Sequence, residues 1–151
     1  MAFMEVDFPE ELFAGLLETD ADEICEEALK AAAPVLEKEM KAAAERVIEH
    51  PGDSEMVRSI KARKPVKSKN GAWIVNVCLT GKSDHVYTAK DKRGRKTHRK
   101  YKVSNALKAI WKEYGIAGHQ PARPFLTAAV NNAREKGLQV IQETYDRMVG
   151  G

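Results

Sequence analysis

One segment sets the scale of any fold for this chain: residues 20–49 carry apolar side chains at helical spacing. The apolar positions are Ile24, Ala28, Ala31, Val35, Met40, Ala43 and Val47. Asp20, with Glu23 three residues later, resembles the capping box that begins a helix, and Pro51-Gly52 breaks the pattern. A helix over residues 20–49 would be about 45 Å long, and Pro34 is expected to kink or split it. That length predicts a contact with another subunit.

Two β-hairpins are predicted to follow this helix. The first joins residues 56–61 to residues 72–79 through Asn70-Gly71, a pair typical of hairpin turns because both residues tolerate positive φ. The second, here called the basic hairpin, spans residues 84–103, and its tip at residues 90–96 is almost entirely basic. Its second arm alternates, which places Arg99, Tyr101 and Val103 on one face and His98, Lys100 and Lys102 on the other.

Two helices are predicted after the hairpins. Ser104 caps a short helix, which Gly115 ends and in which Leu107, Ile110, Trp111 and Tyr114 form an apolar stripe. Pro124 opens a last helix that runs to about residue 148. The predicted fold class is α+β: a long N-terminal helix, a small antiparallel sheet of hairpins, a short helix and a C-terminal helix. We expect one domain over residues 1–151, with a short helix at residues 9–17 and residues 1–19 as a flexible or partner-binding arm.

The charges are strongly segregated, although the formal net charge is only +3. Residues 1–56 contain 16 acidic and 4 basic side chains, whereas residues 57–112 contain 17 basic and 2 acidic ones. Opposite blocks of this kind indicate a partner, either nucleic acid or a second copy of the chain. The candidate contacts on the basic hairpin are Lys90, Lys92, Arg93, Arg95, Lys96, Arg99, Lys100 and Lys102.

Three interpretations of the basic hairpin stay open. It could contact an acidic protein surface, such as the helix at residues 20–49 of a neighbouring subunit. It could bind nucleic-acid phosphates, with Tyr87 and Tyr101 stacking on bases. It could also be a solvated loop without a partner.

No motif for a catalytic, cofactor or metal site is recognised. Residues 79–83 resemble the end of a phosphate-binding loop, but Asn76 stands at the required first glycine and no helix pattern follows. Cys25 and Cys78 lie far apart and the histidines stand alone, so neither a disulfide framework nor a zinc site is expected. An unrecognised hydrolase is the weakest alternative. No apolar run could span a bilayer and no secretory signal is evident, so a soluble protein in a cytosol-like compartment is expected.

Two neighbouring segments resemble the phage head–tail joining family, the tail-completion or tail-terminator proteins of long-tailed siphophages and prophages. The first, residues 105–115, ends in Trp111-Lys112-Glu113-Tyr114-Gly115, and the second is Pro121-Ala122-Arg123-Pro124-Phe125-Leu126. Residues 50–60 resemble a further family segment, with Glu55 where the family has glycine. The resemblance covers about residues 20–148. The basic hairpin is longer than the corresponding family segment, so no role is carried over to it.

The resemblance implies a subunit that is not an enzyme, needs no cofactor and forms a ring, commonly a hexamer, at the head-proximal end of the tail tube. The implied partners are further copies of itself, the tail tube protein and a neck or head-completion protein. DNA passes through the conduit, and no membrane is involved. The implied location is the tail–neck region of the virion, and the host cytoplasm during assembly.

Arg123, between Pro121 and Pro124, is expected either to tie its own loop to the core or to contact a neighbouring subunit. The alternative function, which follows from the residues themselves, is a nucleic-acid-binding module that uses residues 90–102.

Overall fold

The computed structural model describes residues 21–149. The helices are α1 (Ala21–Glu45), α2 (Ser54–Arg58), α3 (Asn105–Tyr114) and α4 (Leu126–Val149), with a 3-10 turn at Pro51–Asp53. The strands are β1 (Ile60–Ala62), β2 (Val66–Lys67), β3 (Trp73–Ile74), β4 (Val77–Leu79), β5 (Lys82–Lys90) and β6 (Lys96–Ser104). This order confirms the predicted α+β class. The expectations for the arm and for a helix at residues 9–17 lie outside the described residues.

The main layer of the core is formed by α1 and α4. Lys136 of α4 pairs with Glu39 of α1, and Arg123, just before α4, pairs with Glu49, just after α1, so the two helices run antiparallel. Gly137 permits their close approach, because a Cβ atom there would lie 2.9 Å from Cδ2 of Leu36. A glycine inside a helix lowers the stability of that helix in isolation. Here it allows α1 and α4 to pack densely against each other. The residues that α1 buries are Ile24, Ala28, Leu29, Ala32, Leu36, Met40, Ala43 and Ala44.

Pro34 does not split α1, which is helical on both sides of it. The proline cannot donate a hydrogen bond to the carbonyl one turn earlier, but it lies on the exposed side of the helix. The helix ends at Glu45, earlier than the predicted residue 49, and a turn follows in which the Val47 N–H donates to the Ala44 carbonyl at 3.1 Å.

The first predicted hairpin is present but irregular. β1 pairs with β4 and β2 with β3, both antiparallel, and the first arm has one extra residue between the pairs Ala62–Val77 and Val66–Ile74. Pro65 lies in this interval and has no N–H to donate, which favours an interruption there. The turn also differs in detail, since only Gly71 has a positive φ, of 86°.

The strand predicted at residues 56–61 is wrong over its first half. Residues 56–58 belong to α2, and the strand begins only at Ile60. Met56 and Val57 are neighbours and both buried. A strand would send adjacent side chains to opposite faces, whereas a helix can bury both on one side.

The basic hairpin forms as predicted from β5 and β6, which pair with each other. Nine residues in each strand make an antiparallel ribbon about 30 Å long. Only its root is buried, at Ser83 and Val103, where the Ser83 hydroxyl donates to the Val103 carbonyl at 3.1 Å. An isolated two-stranded ribbon is only marginally stable in water, so this element has the character of a contact surface.

The thiols, the possible metal ligands and the helix lengths of residues 21–149 are as follows. Both cysteines are free thiols and half-buried. Within the described part of the chain, no three His, Cys, Asp or Glu side chains are grouped so that they could hold a metal ion, and no helix there is long and apolar enough to cross a membrane.

Candidate assembly surfaces and the junction that supports them

The apolar stripe of α3 faces outward, although amphipathic spacing would direct it to the core. Ser104 caps the helix as predicted, and its hydroxyl accepts a hydrogen bond from the Leu107 N–H at 3.1 Å. Ile110 and Tyr114 are nevertheless 37% and 77% exposed, whereas Lys112 and Glu113 are 5% and 8% exposed. The predicted spacing is thus confirmed, and the stripe lies partly in solvent, since Leu107 and Trp111 are half-buried.

The buried side of α3 is polar because it completes an ionic cluster. The Lys112 ammonium lies 2.8 Å from a carboxylate oxygen of Asp53 and 3.3 Å from one of Glu49. Burial alone would raise the pKa of Asp53, but the Lys112 ammonium and the Glu49 N–H hold that pKa below its usual value. Arg123 reaches the second oxygen of Glu49 at 2.5 Å. Two cations and two carboxylates therefore join α3, the segment after α1 and the segment before α4.

Glu113 caps α4 from the preceding helix. One oxygen of its carboxylate accepts from the Phe125 N–H at 2.8 Å and from the Leu126 N–H at 2.9 Å. These amides belong to the first turn of α4, where backbone donors lack partners within the helix. A negative charge there is further stabilised by the helix dipole. The buried carboxylate of α3 thereby fixes where α4 begins.

Gly115 allows the chain to fold back tightly after α3. Its φ of 76° and ψ of −179° lie in a region that is essentially reserved for glycine. A Cβ atom at this position would lie 2.7 Å from the Ala122 nitrogen and 2.8 Å from the Gln120 oxygen. The Arg123 N–H then donates to the Lys112 carbonyl at 2.6 Å. We call this meeting of residues 112–115 with residues 120–126 the junction.

The junction brings together the two segments that the sequence singled out. Glu113, Gly115, Ala122 and the amides of Phe125 and Leu126 are in direct contact there. The remaining candidates, Tyr114, Pro121 and Pro124, lie exposed at its surface. Arg123 contacts Glu49 of its own chain, in keeping with the expectation that it ties its loop to the core.

Sequence reasoning missed Glu49, Asp53 and Lys112 as members of this site. Lys112 lies within residues 105–115, which resemble the family. Nothing in the neighbouring sequence indicates that this lysine is buried. Its partners lie about 60 positions earlier, in a turn whose residues read as a simple helix stop. Only the tertiary packing of α3 reveals the cluster.

The basic hairpin presents cations that mostly lack counterions. Lys102 pairs with Asp84 at 3.0 Å and Arg95 with Asp91 at 3.0 Å. The Lys102 ammonium lowers the pKa of Asp84, and the N–H of Arg95 lowers that of Asp91. The other six candidates have no ion-pair partner among residues 21–149: Lys90, Lys92, Arg93, Lys96, Arg99 and Lys100.

Two further features of the basic hairpin favour an anionic, partly apolar partner. Lys90 lies directly opposite Lys96 in the ladder, and facing like charges destabilise a strand pair. Tyr87 lies opposite Tyr101 with ring centroids 5.8 Å apart, and both residues are 44% exposed. The ribbon thus combines unneutralised charge with uncovered aromatic surface.

Most carboxylates of α1, in contrast, already have cations of their own chain. Asp22 pairs with Lys67, and hydrogen bonds from Lys67 and the Trp73 indole lower the pKa of Asp22. The other pairs of α1 carboxylates with lysines of the same chain are Glu26–Lys30, Glu27–Lys30, Glu37–Lys41, Glu37–Lys61 and Glu39–Lys136. The long helix therefore offers a neighbouring subunit less free negative charge than its sequence suggests.

A comparison with known protein families matches most of the chain. Residues 12–115 match the HK97-gp10-like family, described as "Bacteriophage HK97-gp10, putative tail-component". The match covers 104 of the 151 residues and includes α1, all six strands and α3. The match ends at Gly115. Residues 121–126 therefore lie outside it, although Phe125 and Leu126 donate hydrogen bonds to Glu113 in the matched part. No curated protein and no solved structure matches the chain.

Proposed function

Because the chain belongs to the HK97-gp10-like family of bacteriophage tail components, we propose that it is a structural virion protein that joins the tail to the head. In this proposal copies of the chain form a ring, hexameric in the simplest case, at the head-proximal end of the tail tube. The ring ends growth of the tube and contacts a neck or head-completion protein. The subunits assemble in the host cytoplasm and carry out no catalysis.

The observation that carries this proposal is the outward apolar stripe of α3. Ile110 and Tyr114 are exposed, Leu107 and Trp111 are half-buried, and the four lie on one face of the helix. Exposed apolar patches of this kind mark protein–protein contacts, and aromatic residues are enriched at the centres of such interfaces. The junction fixes the opposite, buried side of α3 to the segment before α4, which suits a subunit that must fit repeatedly into a ring.

A ring also accounts for two unlike surfaces on one chain. A head-to-tail interface joins different patches of neighbouring subunits and closes when the rotation between them permits. The α3 stripe is apolar, whereas the basic hairpin is cationic. The basic hairpin is not complementary to itself, because its like charges repel, and this favours a head-to-tail contact for that surface.

The test uses a phage that carries this gene and from which the gene is deleted. We expect tails with tubes of abnormal length and unjoined heads, and joining when the purified wild-type chain is added. Ile110→Glu should reduce infectious particles by about tenfold or more, because a charge in an interface core must be desolvated. Electron micrographs of negatively stained tails should show the added protein at the head-proximal end.

Val130→Glu is the matched control, since Val130 is 40% exposed on α4, close to the 37% of Ile110. It should restore joining nearly as well as the wild type. Normal tube length and normal joining in the absence of the gene product would refute the proposed function.

A second candidate function is nucleic-acid binding by residues 90–102, favoured by the unpaired cations beside the Tyr87–Tyr101 pair. Aromatic side chains that stack on bases and cations that contact phosphates commonly act together. DNA passing through a tail conduit would meet such a surface, so this activity is compatible with the ring.

A hairpin-reversed variant, with Lys92, Arg93, Lys96 and Lys100 changed to Glu, tests this candidate. Binding to single-stranded and duplex DNA is measured by fluorescence anisotropy at rising salt. If the candidate is correct, wild-type affinity falls steeply with salt because counterions are released, and the variant does not bind. An absence of wild-type binding at low salt rules the candidate out.

A further inference from the structure

We propose that residues 1–20 of one subunit, here called the arm, bind along the basic hairpin of a neighbouring subunit. The inference rests on the proposed self-assembly and names the two segments that meet. The arm contains six acidic residues and no basic one: Glu5, Asp7, Glu10, Glu11, Glu18 and Asp20. It also contains nine large apolar residues, three of them phenylalanine: Met1, Phe3, Met4, Val6, Phe8, Leu12, Phe13, Leu16 and Leu17.

The hairpin offers what such a segment requires. Six of its cations have no ion-pair partner among the described residues, and Lys90 faces Lys96 across the ladder. Carboxylates placed between these lysines would relieve their repulsion. Tyr87 and Tyr101 share one face of the ribbon and are each 44% exposed, which gives the apolar residues of the arm a surface to cover. Charge and apolar character are thus complementary at the same place.

The other acidic segment of the chain is a poorer partner. Asp22, Glu37 and Glu39 on α1 are each paired with a lysine of their own chain. Beyond α1, Glu49 and Asp53 are held by Lys112 and Arg123 in the ionic cluster. A neighbour's hairpin would have to displace these pairs to reach them. On α1, only Glu23 and Glu45 have no ion-pair partner among residues 21–149, whereas the arm carries six acidic residues.

The length of the arm permits a contact between subunits. The arm joins α1 at Ala21, whereas the root of the hairpin lies beside the start of α2, where Glu55 accepts from the Asp84 N–H at 3.1 Å. This root follows the opposite end of α1, which is about 37 Å long for its 25 residues. Twenty extended residues reach about 66 Å, which is ample to cross to the next subunit. In a ring, each subunit would then give one arm and receive one.

The test is carboxylate-to-amine cross-linking in an equal mixture of full-length chains labelled with ¹⁴N and ¹⁵N. Mass spectrometry of the digested products separates links within a chain from links between chains. We expect peptides that join an arm carboxylate of one isotope to Lys90, Lys92, Lys96 or Lys100 of the other. Their yield should fall by about tenfold between low and high salt, because exposed charge pairs are screened.

Two variants of the full chain complete the design. The hairpin-reversed variant should lose the link to Lys90, the one of the four lysines that it retains, while mixing it with a chain whose six arm acids are changed to Lys should restore links between the two. The control changes Lys64, Lys69, Arg134 and Arg147 to Glu, which alters net charge equally at exposed positions outside the hairpin. It should keep the wild-type links.

Several results would overturn the proposal. Arm-to-hairpin links confined to one isotope would place the arm on its own subunit, and links from the hairpin to α1 would assign it to the long helix. Hairpin lysines that form no link to protein, and that added DNA protects from the cross-linking reagent, would show that the hairpin binds nucleic acid instead. Each of these results can occur while the deleted phage still requires the protein for joining, so the outcome is separable from that of the proposed function.

Discussion

Lys112→Met is expected to lower the free energy of unfolding by about 3 kcal/mol, because it removes the cation between two partly or wholly buried carboxylates. The Lys112 side chain is 6% exposed and lies within 3.3 Å of both Asp53 and Glu49. Methionine retains the aliphatic stem, so the loss reports the missing charge and not a cavity. Arg123 stays beside Glu49 and moderates the cost.

The effect of Lys112→Met should depend on pH in a definite direction. In the wild type the pKa of Asp53 is held below its usual value, so the stability from Asp53 is present above about pH 4 and is lost as the pH falls through the folded-state pKa. In the variant, burial without the cation penalises the ionised carboxyl, and protonation removes that penalty. The two chains should therefore differ most near neutral pH and least in acid.

Denaturant unfolding followed by circular dichroism measures both effects. Lys108→Met is the matched control on the same helix, since the Lys108 ammonium donates to the Gly52 carbonyl at 3.0 Å in an exposed position. Its cost should stay below about 1 kcal/mol. Equal losses in the two variants, or a loss at Lys112 that does not change with pH, would contradict the buried ionic cluster.

Gly115→Ala is expected to destabilise the chain by about 3 kcal/mol or more, since its backbone conformation is nearly exclusive to glycine and carries a strain of about 1–3 kcal/mol for other residues. The added methyl group would also overlap backbone atoms of Gln120 and Ala122. Relief of that overlap requires the returning segment to move away from α3. The hydrogen bonds from Phe125 and Leu126 to Glu113 should weaken with it, so the start of α4 should fray.

Gly118→Ala separates the two causes. Gly118 has a φ of 73°, close to the 76° of Gly115, but a Cβ atom there would meet nothing within 4 Å. This control should cost about 1 kcal/mol, from backbone strain alone. Thermal unfolding measures both variants, and hydrogen exchange of the first turn of α4 reports the fraying. If the two glycines prove equally replaceable, the close approach at the junction is wrong.

The elements that the sequence predicted well depend on local chemistry. Ser104 and Gly115 begin and end α3 through a hydroxyl cap and a positive φ, and Gly71 and Gly94 mark the two hairpin turns. Each of these signals acts within a few residues, so no knowledge of the tertiary structure is needed to read it.

The errors arose where tertiary packing decided the outcome. The stripe on α3 has the spacing that is typical of a buried face. Lys112 and Glu113 nevertheless occupy the buried side, because residues far away in the sequence contact them there. The sequence pattern predicts a strand where α2 lies, because five residues are too few to show the 3.6-residue hydrophobic period of a helix. The role of Glu113 as a cap for α4 involves amides 12 and 13 positions later, a distance at which spacing carries no signal.

The junction has a consequence for the loop that it encloses. Gly115 and Ala122 are packed together at its two ends, the Ile116 N–H donates to the Gln120 carbonyl at 2.8 Å, and residues 117–119 are exposed. Because both ends are clamped, the loop can change in length or sequence without moving α3 or α4. A loop held in this way can be replaced as a unit while the ionic cluster and the start of α4 keep their positions.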